Sequence, residues 1–206
     1  MANMFYIMGK SATGKDTVYN KIKQEININN YVLYTTRPIR TGEQEGVDYF
    51  FVTANQILEF EKQGKVIESR TYNTVHGPWT YATIADEQLE QEGDILTVGT
   101  LESYVKVKDY FKENEEVDIK PIYIAIDEEE RRKRAEAREA RQKEPKYAEM
   151  ERRLKADNKD FSEEKLKEAG ITEKETFYNY DLDRCVNSIL KYIEHAKTNT
   201  EKSIER

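Results

Sequence analysis

The chain has 206 residues, a length at the upper end of the single-domain range, with a formal charge of −7, 35% charged residues and one cysteine, Cys185. This composition excludes an intramolecular disulfide and a Cys-rich zinc site, and it argues against a surface that coats nucleic acid. The charge is concentrated: residues 127–175 hold 31 charged side chains, 15 basic and 16 acidic, while the first 126 residues read as an ordinary α/β protein able to bury a core.

The elements follow in order from hydrophobic periodicity and turn signals. Residues 4–9 form a short apolar strand and 13–26 an amphipathic helix. Residues 31–38 and 48–53 are β-rich and separated by the turn-like stretch 40–47. A helix over 54–64 ends at Gly64, and strands follow at 65–73 and 79–83. The pattern then alternates: helix 85–92, strand 94–99, helix 101–113, strand 122–126. Residues 128–170 are helical in propensity with a break at Pro145. A strand at 176–180 and a helix at 181–196 close the chain, and a frayed tail is expected over 199–206. Strand–helix alternation at both ends implies a parallel core sheet, interrupted by a β-rich insertion (33–83) and a charged helical one (127–165). The core is then 1–32, 84–126 and 166–198. No apolar run approaches the roughly 20 residues of a membrane span. The run Met4–Met8 is too short for a signal peptide and has no cleavage site behind it, so a cytoplasmic location is expected. Cys185 is read as a buried spectator thiol.

Gly9-Lys10-Ser11-Ala12-Thr13-Gly14-Lys15 matches the first seven places of G-x-x-x-x-G-K-[ST], between an apolar strand and a helix start. Such a turn points backbone N–H groups at an anion, and the helix dipole favours negative charge there. Gly9, Ser11, Ala12, Thr13, Gly14, Lys15, Asp16 and Thr17 are therefore expected to hold ATP, with Lys15 reaching the β and γ phosphates. Asp16 stands where a hydroxyl usually ligates Mg²⁺; its carboxylate is an adequate oxygen ligand and the candidate metal residue.

Beyond the loop, the chain resembles the guanylate kinase family. The stretch YTTRPIRTGEQEGVDYFFV is similar to that family's TTR-x-x-R-x-G-E-x-x-G-x-x-Y-x-F-V segment, GKVIE to its G-x-F-[IL]-E, and Tyr81-Ala82-Thr83 to its Y-G-[ST]. The resemblance implies a P-loop NTPase core with a helix-flanked parallel sheet, an acceptor-binding insertion and a helical lid. It places the acceptor's phosphate on Arg37, Arg40, Tyr49 and Tyr81, and its base near Glu68 and Thr83. Two guanidiniums three residues apart beside phenolic hydroxyls suit a dianionic phosphate in any case. The helical insertion sits where the family keeps its lid, and Arg134, Arg138 and Arg153 match the lid arginines that neutralise a phosphoryl group in transfer. Arg131, Arg132, Arg141 and Arg152 are read as a solvated Glu–Arg ladder. Asn179 resembles an asparagine that contacts the donor adenine.

Three positions depart from the family. Leu33 replaces a serine, and Thr97 and Gly99 replace two acids of the L-D-I-D strand. Glu102, just past that strand, is the candidate to compensate at the base. His76 and His195 lack a metal-ligand spacing or a nucleophile partner. The resemblance thus implies transfer of the ATP γ-phosphoryl group to a nucleoside monophosphate, GMP first, with Mg²⁺ as cofactor and no nucleic-acid or membrane partner. Two alternatives remain: the same chemistry on another phosphorylated acceptor, and a non-catalytic binding module of the same fold.

Overall fold

Seven residues of nearly unbroken apolar sequence become β1 (Ala2–Met8), and Met4 to Met8 are all buried. A strand buried on both faces belongs at the centre of a parallel sheet covered by helices. The computed structural model describes residues 2–74, 77–112 and 117–204, with side chains described through residue 198. His76 and the expected helix end at residue 113 lie outside the described residues.

After β1 come α1 (Lys15–Glu25), β2 (Asn29–Asn30), β3 (Tyr34–Thr35), β4 (Phe50–Phe51), α2 (Ala54–Lys62), β5 (Val66–Thr74) and β6 (Gly77–Ile84). The chain continues through β7 (Ile95–Gly99), α3 (Leu101–Phe111), β8 (Val117–Ala125), α4 (Glu128–Ala140), α5 (Tyr147–Asp160), α6 (Glu163–Glu168), β9 (Thr176–Tyr178) and α7 (Leu182–Ile204). The closing helix runs through most of the stretch expected as a tail.

One sheet has the order β2-β7-β1-β8-β9, all parallel, with Met4 opposite Ile95 and Val117 to Tyr123 opposite Ala2 to Met8. Alternation along β1 divides the core. Phe5 and Ile7 face Val18 and Ile22 of α1 and Val186, Ile189 and Ile193 of α7. Met4, Tyr6 and Met8 face Tyr104, Val107 and Phe111 of α3. Each such side chain taken fully out of water contributes roughly 1.5–3 kcal/mol, so this two-sided burial anchors the fold. Cys185 is buried in the α1/α7 layer, as expected, and desolvation pushes its thiol up to about 11.

The second sheet, β4-β3-β6-β5, is built from residues between Tyr34 and Ile84, nearly the stretch expected as the β-rich insertion. β5 and β6 form an antiparallel ribbon with a register shift between Val66 and Glu68. Two sequence expectations are corrected here. The β-rich stretches 31–38 and 48–53 reduce to two-residue strands on either side of the turn expected at 40–47, where Gly42 and Gly46 have φ of 90° and 71°. The helix expected over 85–92 is a single 3₁₀ turn, Glu87–Glu90, capped by the Asp86 side chain and ended by the extended backbone of Gln91. Among the described residues, no helix is long and apolar enough to cross a membrane.

Candidate active site

The turn between β1 and α1 is shaped by close approaches that only glycine permits. A Cβ on Gly9 would lie 2.6 Å from the Ile124 carbonyl oxygen. Gly14, at φ 87°, would drive one into Asn179 Nδ2, and Ala12 adopts φ 65° between them. Asn179 Nδ2 donates to the Thr13 carbonyl at 2.8 Å, and Thr13 Oγ1 donates to the Lys10 carbonyl at 2.9 Å. Asn179 is 4% exposed, so the structure holds it under the loop with its amide engaged to the loop backbone. No side chain caps α1, which leaves its first N–H groups for a ligand. Lys15 opens that helix, with Asp16 and Thr17 exposed on its first turn. Among the described residues no group of three or more His, Cys, Asp or Glu could hold a metal. The Asp16 carboxylate beside the loop fits the sparse protein ligation that Mg²⁺ needs when phosphates complete its shell.

On the acceptor side, Arg37 is 4% exposed and forks onto Glu43, Nη1 to Oε2 at 2.7 Å and Nη2 to Oε1 at 2.6 Å. The hydrogen bond from Arg37 holds Glu43 below the usual carboxylate range. The guanidinium lies 4.8 Å from the Tyr49 ring centroid and 5.4 Å from that of Phe51. Tyr49 packs edge-on against Tyr81 at 5.8 Å, so three of the four expected phosphate residues share one cluster. Arg37 Nε is buried without a partner, a donor still to be satisfied. Burial raises the Tyr49 phenol above its ordinary value, which keeps it a hydrogen-bond donor at neutral pH.

Glu68 and Thr83, both expected near the acceptor base, meet in a buried polar cluster. Glu68 has a fully buried carboxylate, held by Arg70 Nε at 2.9 Å, Arg70 Nη2 at 3.2 Å, Thr83 Oγ1 at 3.0 Å and Ser103 Oγ at 2.8 Å. Arg70 Nη1 also donates to Thr100 Oγ1 at 2.6 Å. Gly99 has no side chain because the Tyr6 ring and hydroxyl fill that space, and Tyr6 OH shares a 2.5 Å hydrogen bond with Ser103. Thr97 Oγ1 donates to the Tyr31 carbonyl at 3.1 Å, and Leu33 is core. Glu102 pairs with Lys106 at 2.8 Å and lines a cavity of about 550 Å³ together with Tyr72, Thr100 and Arg153.

α4 and α5, the helices expected to form a lid, reach back to the loop. Arg134 pairs with Glu130 at 3.0 Å, and its Nη1 lies 4.0 Å from the Cβ position on Gly14. Arg138, Arg153, Arg40 and Ser11 line a second cavity of about 310 Å³, which joins loop, acceptor segment and lid. Glu149 on its wall is drawn down to about 2 by hydrogen bonds from Arg152 and Arg153, so it is anionic at neutral pH. Arg132, paired with Glu151, and exposed Arg141 and Arg152 fit the solvated ladder. Arg131 does not. It is 1% exposed and bonded to Glu128, Asp157, Asn158 and the Leu154 carbonyl, because α5 packs over it. Sequence reading missed Arg131, Arg70 and Tyr6. Only Arg70 left a trace, two residues after Glu68 on the same strand face.

The family model described as guanylate kinase matches residues 1–196. A curated guanylate kinase of Fusobacterium nucleatum subsp. nucleatum is 30% identical over 196 residues, covering 94% of this chain and 96% of that one. One from Coxiella burnetii is 35% identical over 99 residues, covering 46% of each. The crystal structure of guanylate kinase from Anaplasma phagocytophilum superposes with a TM-score of 0.63 at 22% identity, covering 95% of this chain and 86% of that one, and shares its fold.

Proposed function

The chain belongs to the guanylate kinase family, and from that premise we propose that it transfers the γ-phosphoryl group of ATP to GMP, giving ADP and GDP. The observation that carries this reading is the 310 Å³ cavity, where Ser11 of the loop, Arg40 of the acceptor segment and Arg138 and Arg153 of the lid face one volume. Charge neutralisation at a phosphoryl group in flight needs that convergence.

The core takes 1–32, 84–126 and 166–198, the acceptor subdomain 33–83 and the lid 127–165. ATP lies on Gly9, Ser11, Ala12, Thr13, Gly14, Asp16 and Thr17, with Lys15 at the β and γ phosphates and Asn179 fixing the loop. Arg37, Arg40, Tyr49 and Tyr81 hold the acceptor phosphate, and Glu68 and Thr83 form the base side. Asp16 would hold Mg²⁺ together with phosphate oxygens, and the ion would supply charge neutralisation at the triphosphate. An oxygen of the acceptor phosphate attacks the γ phosphorus in line, the bond to the ADP oxygen breaks, and no general base is needed, since a phosphate monoester with a second pKa of about 6 is largely dianionic at neutral pH. The protein positions the two groups and excludes water, while Arg134, Arg138 and Arg153 balance the charge.

The test is ADP release from ATP·Mg²⁺ and GMP. Lys15→Ala should lose at least about 100-fold in turnover, the scale of removing a charge-stabilising donor. Equal turnover in Lys15→Ala would overturn the assignment. No Lys15-dependent turnover, with retained nucleotide or peptide affinity, would make the chain a binding module.

A further inference from the structure

Lid arginines act only if the lid meets the phosphate loop in a fixed register, and apolar packing there is thin. Ala12 of the loop touches a cluster of three buried residues, Ala135, Met150 and Leu154. Such contacts are non-directional. α5 has no side-chain N-cap to orient it, and it follows the break at 141–146. Direction comes from a polar junction at its other end. The Ser11 backbone N–H donates to Asp157 Oδ2 at 2.8 Å, and Arg131 Nη1 donates to the same oxygen at 3.2 Å. Next to it, Lys10 Nζ donates to Asn158 Oδ1 at 3.0 Å and to Glu128 Oε1 at 2.7 Å. Arg131 Nη2 closes the network on Asn158 Oδ1 at 2.6 Å and Glu128 Oε2 at 2.6 Å.

We propose that Asp157 is a positioning residue: its hydrogen bond from the Ser11 amide registers α5 on the phosphate loop and so delivers Arg153 to the phosphoryl group. Arg153 and Asp157 are four residues apart, on one face of α5. Both line the 550 Å³ cavity, and Ser11 and Arg153 meet again in the smaller one. Buried Arg131 donates to the same carboxylate oxygen as the amide and restrains it. Asp157 acts through Arg153. The proposal rests on the kinase reading for its kinetic consequence, and on geometry alone for the latch.

The test compares Asp157→Ala and Asp157→Asn. The alanine variant should lose about 10- to 100-fold in kcat, the effect of a 1 Å misplacement, with both KM values within about threefold. Asparagine keeps an acceptor oxygen and should recover most of that loss. Arg153→Ala added to Asp157→Ala should cost little more than either alone, since neighbours acting through one contact are not additive. In parallel, amide hydrogen exchange without nucleotide should speed up in residues 9–15 and 147–160 of Asp157→Ala and stay near wild type in Asp157→Asn. Wild-type kcat and wild-type exchange in the alanine variant overturn the latch, as does full additivity with Arg153→Ala. Loss of turnover in the wild-type protein itself strikes the kinase reading, and the exchange measurement then decides the latch by itself.

Discussion

Arg70 and Glu68, two residues apart on β5, form a doubly bonded ion pair with side chains 7% and 0% exposed. Removing one partner of such a pair leaves an uncompensated buried charge. Arg70→Ala should therefore cost about 3–5 kcal/mol, read from the urea midpoint. The double change Arg70→Met with Glu68→Gln should recover a large part of it. Equal stability of Arg70→Ala and wild type would show that the carboxylate finds water once its partner is gone.

The same carboxylate faces the proposed base side. Four donors already reach it from Arg70, Thr83 and Ser103. A base must exchange with one of them to be read. Glu68→Gln should lower the preference for GMP over AMP by at least about 10-fold in kcat/KM, because a donor replaces an acceptor oxygen in a buried polar site. An unchanged order of acceptors removes Glu68 from base recognition and leaves Glu102 to be changed next.

Gly99 and Tyr6 share one volume, since a Cβ on Gly99 meets the Tyr6 ring and hydroxyl. Gly99→Ala should destabilise by about 1–3 kcal/mol, the range for overpacking, and Tyr6→Leu in the same chain should relieve part of that strain. Urea unfolding of the two single variants and the pair gives the coupling directly. Simple additivity would place the clash elsewhere.

The Arg37–Glu43 clamp carries an acid dependence of known sign. Arg37 holds the Glu43 carboxyl below its ordinary value, so the folded state binds this proton less readily than the unfolded chain. Stability from the pair is fully present above the unfolded value of about 4.3 and is lost as pH falls through the lower folded value. Glu149, drawn down to about 2, adds a component of the same sign. Urea midpoints between pH 3 and 7 should fall at the acid end, and less steeply in Glu43→Gln. A parallel fall in both proteins would show that the clamp is broken in solution.

The sequence by itself pointed to the parallel core and the strand–turn–helix around residues 9–15, and it supplied the arginines proposed for the acceptor segment and the lid. Those features rest on local signals: apolar runs of fixed period, glycines that admit positive φ, and charges at helical spacing. Expected elements were shortened at 31–38, 48–53 and 85–92, and the tail expected over 199–206 is helical to residue 204, while the turn expected at 40–47 is present at Gly42 and Gly46. Tertiary structure decided what spacing cannot express. Arg131 and Arg132 are neighbours in one charged helix and both reach α5, yet Arg131 is sealed among Asp157, Asn158 and the Leu154 carbonyl while Arg132 pairs with Glu151 at the solvated edge. Tyr6 lies in an apolar strand and shows its role only where Gly99 of the adjacent strand makes room for it. Asp157 is one acid among many until folding sets it against the amide of a residue 146 positions away. Burial and long-range pairing are properties of the packed chain, and a sequence pattern records only which faces are available to be packed.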